Sequence, residues 1–177
     1  MPKRDPVNFH LDQQNAVSDD CNHARELFNK SRYGALKENK LVISLLEALY
    51  LLSKEKIVVL DKRGKEIDFE TLFRKAKKYE PDIKIRYPVF KDLRERGYVV
   101  KTALKFGADF RVYDRGIKPG EDHARWVVYA VYESDKQTWF EFSSKSRVAH
   151  STRKNLLIGV VDAEEDVTYY EVSWVRP

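Results

Sequence analysis

Residues 98–132 read YVVKTALKFGADFRVYDRGIKPGEDHARWVVYAVY, and the period of this stretch decides the fold. Apolar residues keep strand spacing over three runs, Tyr98–Leu104, Ala108–Tyr113 and Trp126–Tyr132. The loop RGIKPGED, with its Pro119-Gly120 turn signal, separates the last two. Just upstream, Ile83, Tyr87, Phe90 and Leu93 recur at helical spacing over Ile83–Arg96, and Gly97 stops that helix. Downstream a helix is expected over Phe142–Arg153. Strands are expected over Leu156–Asp162 and Val167–Val175, on either side of the acidic turn AEED. Helix, strands, helix, strands predicts an α/β (α+β) domain with a mixed central sheet over residues 83–177.

Glu80-Pro81-Asp82 sets the boundary ahead of it, because the residue before a proline is driven out of the helical region. Residues 1–82 then form a smaller mixed α/β domain. Within it Leu41–Ser53 (LVISLLEALYLLS) is expected to be a buried helix, apolar around nearly its whole circumference apart from Ser44 and Glu47. Ile57–Leu60 reads as a short β-branched strand and DKRGK as a turn at Gly64. Asp68 is expected to cap the helix FETLFRKAKKYE, with Phe69, Leu72, Phe73 and Ala76 on its apolar face. Arg74, Lys75, Lys77 and Lys78 make the opposite face basic, either as a solvated surface or as a contact for phosphate or a partner. Nearer the start, Met1–Pro6 reads as a frayed end, Val7–Leu11 as a strand and Asp19–Lys30 as a weak helix.

Composition excludes several classes. The chain has 177 residues, 42% of them hydrophobic, enough to bury a core in one domain or two small ones. A net charge of +5 suits a phosphate-bearing partner, though many soluble proteins are as basic. Cys21 is the only cysteine, which excludes a disulfide framework and points to a cytoplasmic protein. Cys21 and His23 together fall short of the ligand count of a zinc site, so no metal or cofactor is expected. No apolar run approaches the ~20 residues of a membrane span, and MPKRDPVNFHLD has no apolar secretory core.

Three residue types then stand out on successive pieces of the larger domain: Tyr113, His123 and Lys154. Together such groups suffice for RNA cleavage without metal, which needs a base for the 2′-hydroxyl, an acid for the departing 5′-oxygen and a cation for the crowded phosphorane. Tyr113 ends the strand ADFRVY beside a loop, where an exposed phenol would meet a phosphodiester. Free tyrosine titrates near ~10 and is a poor base at neutral pH unless cations lower that value. Arg111, Arg115 and Lys154 are the candidates to supply them. Next to His123, Glu121 and Asp122 would favour the protonated ring that a general acid requires. Lys154 follows the helix RVAHSTRK, where a cation also complements the helix dipole. His10 and His150 have no comparable setting, although His150 lies one helical turn before Lys154.

With VFKDLRERGYVVKTALKFGADFRVY, DHARW, RVAHSTRKNLLIGVVDA and YYEVSWVRP laid end to end, the chain resembles the archaeal tRNA-splicing endonucleases. The resemblance covers Leu41–Leu52 and nearly everything from Tyr87 to Pro177, and is poor over the first 35 residues. It implies an N-terminal α/β domain for assembly and a nuclease-like C-terminal domain for catalysis. The implied substrate is precursor tRNA or another RNA folded as a bulge-helix-bulge, cut to 2′,3′-cyclic phosphate and 5′-hydroxyl ends by a homotetramer built as a dimer of dimers. The family's catalytic tyrosine, histidine and lysine fall on Tyr113, His123 and Lys154. A bulge base is pinched between two flat side chains, which fall on Arg147 and on Trp174, where some relatives carry arginine. The acidic turn Glu164, Glu165 and Asp166 matches a loop that enters a basic pocket of the neighbouring dimer. The last strand, VTYYEVSWV, is apolar on both faces, as a strand covered by a partner subunit would be.

Two other classes compete. A binding or structural subunit of the same endonuclease would need a catalytic partner, and the complete tyrosine, histidine and lysine set speaks against it. A magnesium-dependent DNA nuclease would need a Glu-x-Lys on an adjoining strand after an acidic residue such as Asp82, and none follows.

Overall fold

The computed structural model describes residues 5–103, 105, 107–117, 120, 123–175 and 177. The chain divides into two compact units, Met1–Ile83 and Lys84–Pro177.

The first unit runs β1 (Val7–Asp12), β2 (Asn15–Ser18), α1 (Asn22–Ser31), β3 (Ala35–Lys37), β4 (Lys40–Ser44), α2 (Leu45–Ser53), β5 (Ile57–Leu60) and α3 (Phe69–Tyr79). Its sheet has the order β3-β4-β2-β1-β5, antiparallel except where β1 meets β5. Phe9, Leu41, Ile43, Leu46, Leu49, Ile57 and Leu72 are fully buried and form the core. The helix expected from Leu41 starts only at Leu45, and Leu41–Ser44 belongs to β4. A run that is apolar all round suits a buried strand and a buried helix equally, so the period alone misplaces the junction. Ser44 marks it chemically: its hydroxyl accepts the N–H of Glu47, and the Glu47 carboxylate accepts the N–H of Ser44 at 3.0 Å, a complete capping box. Glu47 is therefore buried, and also accepts the N–H of Gly34. Strands β2 and β3, of four and three residues, carry too few positions to show a period. Asp68 caps α3 as expected, taking the N–H of Thr71 at 2.7 Å.

The second unit contains α4 (Ile83–Glu95), β6 (Val99–Ala103), β7 (Ala108–Tyr113), β8 (Trp126–Tyr132), α5 (Trp139–Ser151), β9 (Asn155–Val161) and β10 (Val167–Val172). Its sheet order is β10-β9-β8-β7-β6. The β8–β9 pair, joined through α5, is parallel and the others are antiparallel, which is the mixed central sheet expected. One helix covers each face. On the α4 side Gly159 lies beneath Val89, where an added Cβ would stand 3.1 Å from a valine methyl, and Phe90 meets Phe110. On the α5 side Ala149 and Phe142 pack over Val127, Tyr129 and Leu156. Arg86 of α4 pairs with Asp109 of β7 at 2.9 Å, and the second Asp109 oxygen accepts the N–H of Ala130.

Two boundaries differ from expectation. Helix α5 begins at Trp139, a turn earlier than Phe142, because Thr138 and Glu141 form a second capping box. Strand β10 stops at Val172, which leaves Trp174 beyond the sheet.

Candidate active site

Two backbone hydrogen bonds gather the candidate residues. The N–H of Arg125 donates to Val112 O at 2.9 Å, and the N–H of Asn155 donates to Arg125 O at 3.0 Å. Tyr113 follows Val112, His123 precedes Arg125 by two residues, and Lys154 precedes Asn155. All three thus occupy neighbouring strand ends, of β7, β8 and β9, at one end of the sheet, with ~4.8 Å between successive strands.

Each arrives by a different local device. Tyr113 lies opposite Val99, and its ring packs with Val99, Ala124 and Ile117. At 5% exposure it is not the open phenol expected, because the strand end is covered by the returning segment before β8. His123 is exposed and immediately precedes Ala124, which packs on Tyr113. The Pro119 turn and the carboxylates of Glu121 and Asp122 lie outside the described residues.

Lys154 is placed by the way α5 ends. Arg153 adopts a left-handed conformation, φ 55°, its N–H donating to His150 O and that of Lys154 to Ala149 O. This is the Schellman arrangement with arginine where glycine is commonest, and it fixes Lys154 as the second residue beyond the helix cap. The Lys154 Nζ donates to Thr152 O at 2.7 Å. Burial lowers the Lys154 pKa from its ordinary value, and the charge of Arg111 lowers it further. Arg115, the other expected cation, lies instead over the Tyr98 ring at 5.3 Å.

Arg147 is exposed on α5, three residues before His150, so the two share a face of the helix. Trp174 is 56% exposed, which excludes burial in the core, and its ring stands 4.6 Å from that of His150. His150 is the residue that reading the sequence passed over. Its place one turn before Lys154 was the available signal.

The acidic turn forms the exposed tip between β9 and β10. Asp162 Oδ1 accepts the N–H groups of Glu164 and Asp166, both at 2.9 Å, which closes the turn and leaves Glu164, Glu165 and Asp166 exposed. The first unit holds a pocket of about 390 Å³ whose lining includes Lys62, Arg63, Lys75, Lys78, Tyr79 and Asp61. Asp61 accepts the N–H groups of Arg63 and Lys65, which hold its carboxyl below the usual range and keep it ionised, and the four cations outnumber that one carboxylate.

Among the described residues no three His, Cys, Asp or Glu side chains come together as a metal site, and Cys21 caps α1 by accepting the N–H of Ala24. No described helix is long and apolar enough to cross a membrane.

Comparison with known proteins agrees with this architecture. Residues 7–73 match the tRNA intron endonuclease N-terminal domain, and residues 83–169 match the tRNA intron endonuclease catalytic C-terminal domain. The likeness therefore includes residues 7–35, which the motifs alone did not reach. A tRNA-splicing endonuclease of Thermococcus onnurineus is 42% identical over 98% of this chain and 99% of its own. That of Pyrococcus abyssi is 40% identical over 96% and 97%. That of Methanothermobacter thermautotrophicus is 42% identical over 87% and 89%. With both domains present in order and relatives matched along nearly their whole length, the chain belongs to the tRNA intron endonuclease family, the endonucleases of tRNA splicing.

Proposed function

We propose that the chain is a cytoplasmic, metal-independent endoribonuclease that excises introns from precursor tRNA at bulge-helix-bulge motifs. The observation that carries the mechanism is the convergence of Tyr113, His123 and Lys154 on three adjacent strand ends. Tyr113 takes the proton of the 2′-hydroxyl beside the cut. The freed oxygen attacks phosphorus and closes a five-membered ring. Lys154 offsets the charge that grows on the non-bridging oxygens, and His123 protonates the leaving 5′-oxygen. The products are a 2′,3′-cyclic phosphate and a 5′-hydroxyl. Arg147 and Trp174 hold a bulge base by stacking, with His150 behind the indole.

The second unit supplies this chemistry and the first supports assembly. A homotetramer forms as a dimer of dimers. Strand β10 lies at the sheet edge, with its outer side available to a second copy, and the acidic turn of one dimer enters the cationic pocket of the other. Sites fixed by a two-fold axis then read the spacing of two bulges rather than their sequence.

The deciding test is cleavage of a bulge-helix-bulge RNA in EDTA with analysis of the ends, beside a copy carrying 2′-deoxyribose at each cut. Cyclic-phosphate ends with the deoxy copy intact are expected. Cutting of the deoxy copy refutes the mechanism. Inactivity of a folded protein on both RNAs favours the second reading, a subunit that needs a partner chain.

A further inference from the structure

Beyond its place among the cations expected near Tyr113, Arg111 has no part in the steps above, yet it occupies the face on which they occur. It lies on β7 two residues before Tyr113, so both side chains rise from one face of the strand, ~7 Å apart along it. Its register neighbours are Lys101 on β6 and Val127 on β8. Val127 in turn lies opposite Leu156, two residues beyond Lys154. Arg111 Nε is buried and meets no hydrogen-bond partner among the described residues. Its positive charge also reaches Lys154 strongly enough to oppose protonation there.

A buried guanidinium N–H without an acceptor is destabilising, and a second cation nearby adds repulsion. An anion with several oxygens set against both side chains offsets that repulsion and gives the outer guanidinium nitrogens an acceptor. The two side chains suit such an anion differently: guanidinium offers a planar fork of donors that matches two oxygens, while ammonium acts as a point charge.

We propose that Arg111 is a further catalytic residue, which grips the scissile phosphate together with Lys154. The proposal rests on the reading of Tyr113, His123 and Lys154 as the site. Guanidinium is a permanent cation, so it holds the phosphate before attack and through it, beside a lysine whose protonation burial opposes. The transferred charge on the phosphorane then falls between two fixed cations rather than one.

Two measurements test this, and the first does not depend on cleavage. Lys154 acylation by an amine reagent is followed by mass spectrometry in the wild-type protein, with inorganic phosphate or with chloride at equal ionic strength. Phosphate is expected to slow Lys154 modification several-fold, and Arg111→Gln to abolish that protection. Equal protection by chloride, or none by phosphate, overturns the proposal. The second is single-turnover cleavage of a precursor tRNA. Arg111→Gln is expected to lower the rate ~10²–10³-fold with a much smaller loss of RNA affinity, and Arg111→Lys to recover part of the rate. An unchanged rate in Arg111→Gln also overturns the proposal. Should the wild-type protein fail to cut RNA, the endonuclease reading and with it the catalytic role of Arg111 fail, while phosphate protection and its loss in Arg111→Gln still test the anion grip of Arg111 and Lys154. Should the glutamine variant not fold, Arg111→Lys, which keeps a charge but loses the planar fork, takes its place in the protection arm and is expected to weaken the protection, while full protection in it overturns the proposal.

Discussion

Glu47 accepts the backbone N–H of Gly34 at 2.9 Å, thirteen residues earlier in the chain, and so ties the start of α2 to the turn before β3. Gly34 must be glycine there: its φ is +55° and a Cβ would run into the carbonyl of Val42. Glu47→Ala removes the capping box and leaves the Gly34 N–H without its acceptor, for an expected loss of about 2–3 kcal/mol from the first unit. Urea midpoints of the variant and wild type measure it; coincident midpoints would show that the bond contributes nothing.

His123→Ala should slow cleavage ~10²–10⁴-fold and leave RNA binding nearly intact. A substrate whose leaving 5′-oxygen is replaced by sulfur needs little protonation, so its cleavage should be almost insensitive to the substitution. An equal defect on both substrates would assign His123 to positioning instead.

Lys154 gives a signed dependence on pH. Burial and Arg111 bring its folded pKa below the unfolded value of 10.5, so between the two the unfolded chain binds more protons and stability rises with pH. If Lys154 serves as the proposed cation, the same shift makes its charge vanish sooner on the alkaline side than that of an ordinary lysine. Lys154→Arg keeps its charge throughout, so the ratio of variant to wild-type rate should climb as pH rises toward the lysine's depressed value. A flat ratio would mean that the charge of Lys154 is not needed.

Trp174→Ala should weaken binding of bulged RNA by ~1–3 kcal/mol, with Trp174→Phe close to wild type. His150→Ala, which removes the ring 4.6 Å behind the indole, should give a smaller loss of the same kind. Equal affinities on a fully paired RNA would confine the effect to the bulge.

The acidic turn and the cationic pocket give a charge-exchange test. Reversing Glu164, Glu165 and Asp166 to lysine should split the tetramer into dimers, and so should reversing Lys75 and Lys78 to glutamate. Combining the two sets should restore assembly in part, and salt should weaken the proposed wild-type tetramer, all read by sedimentation.

Much of this was legible in the chain because several elements announce themselves chemically. Asp68 and Gly97 mark helix ends by the groups they offer, and α4 shows its buried residues at helical spacing. The β4–α2 junction was hidden because burial on all sides erases the difference between the two periods, leaving only Ser44 to reveal it. At the candidate site residue type indicated Tyr113, His123 and Lys154, but not the packing that covers the tyrosine ring. The His150–Trp174 contact escaped because it joins a helix to an irregular tail, and no spacing rule connects those.

The parallel pairing of β8 with β9 has a consequence for when the protein becomes active. Tyr113 and the segment after His123 can be aligned by hairpin-like antiparallel contacts, whereas Lys154 arrives only once α5 has crossed over and β9 has zipped beside β8. Such non-local parallel contacts close late in folding. On the proposed mechanism, a nascent or half-folded chain would hold its base and acid without its cation, and would stay harmless to the RNA around it until the domain is complete.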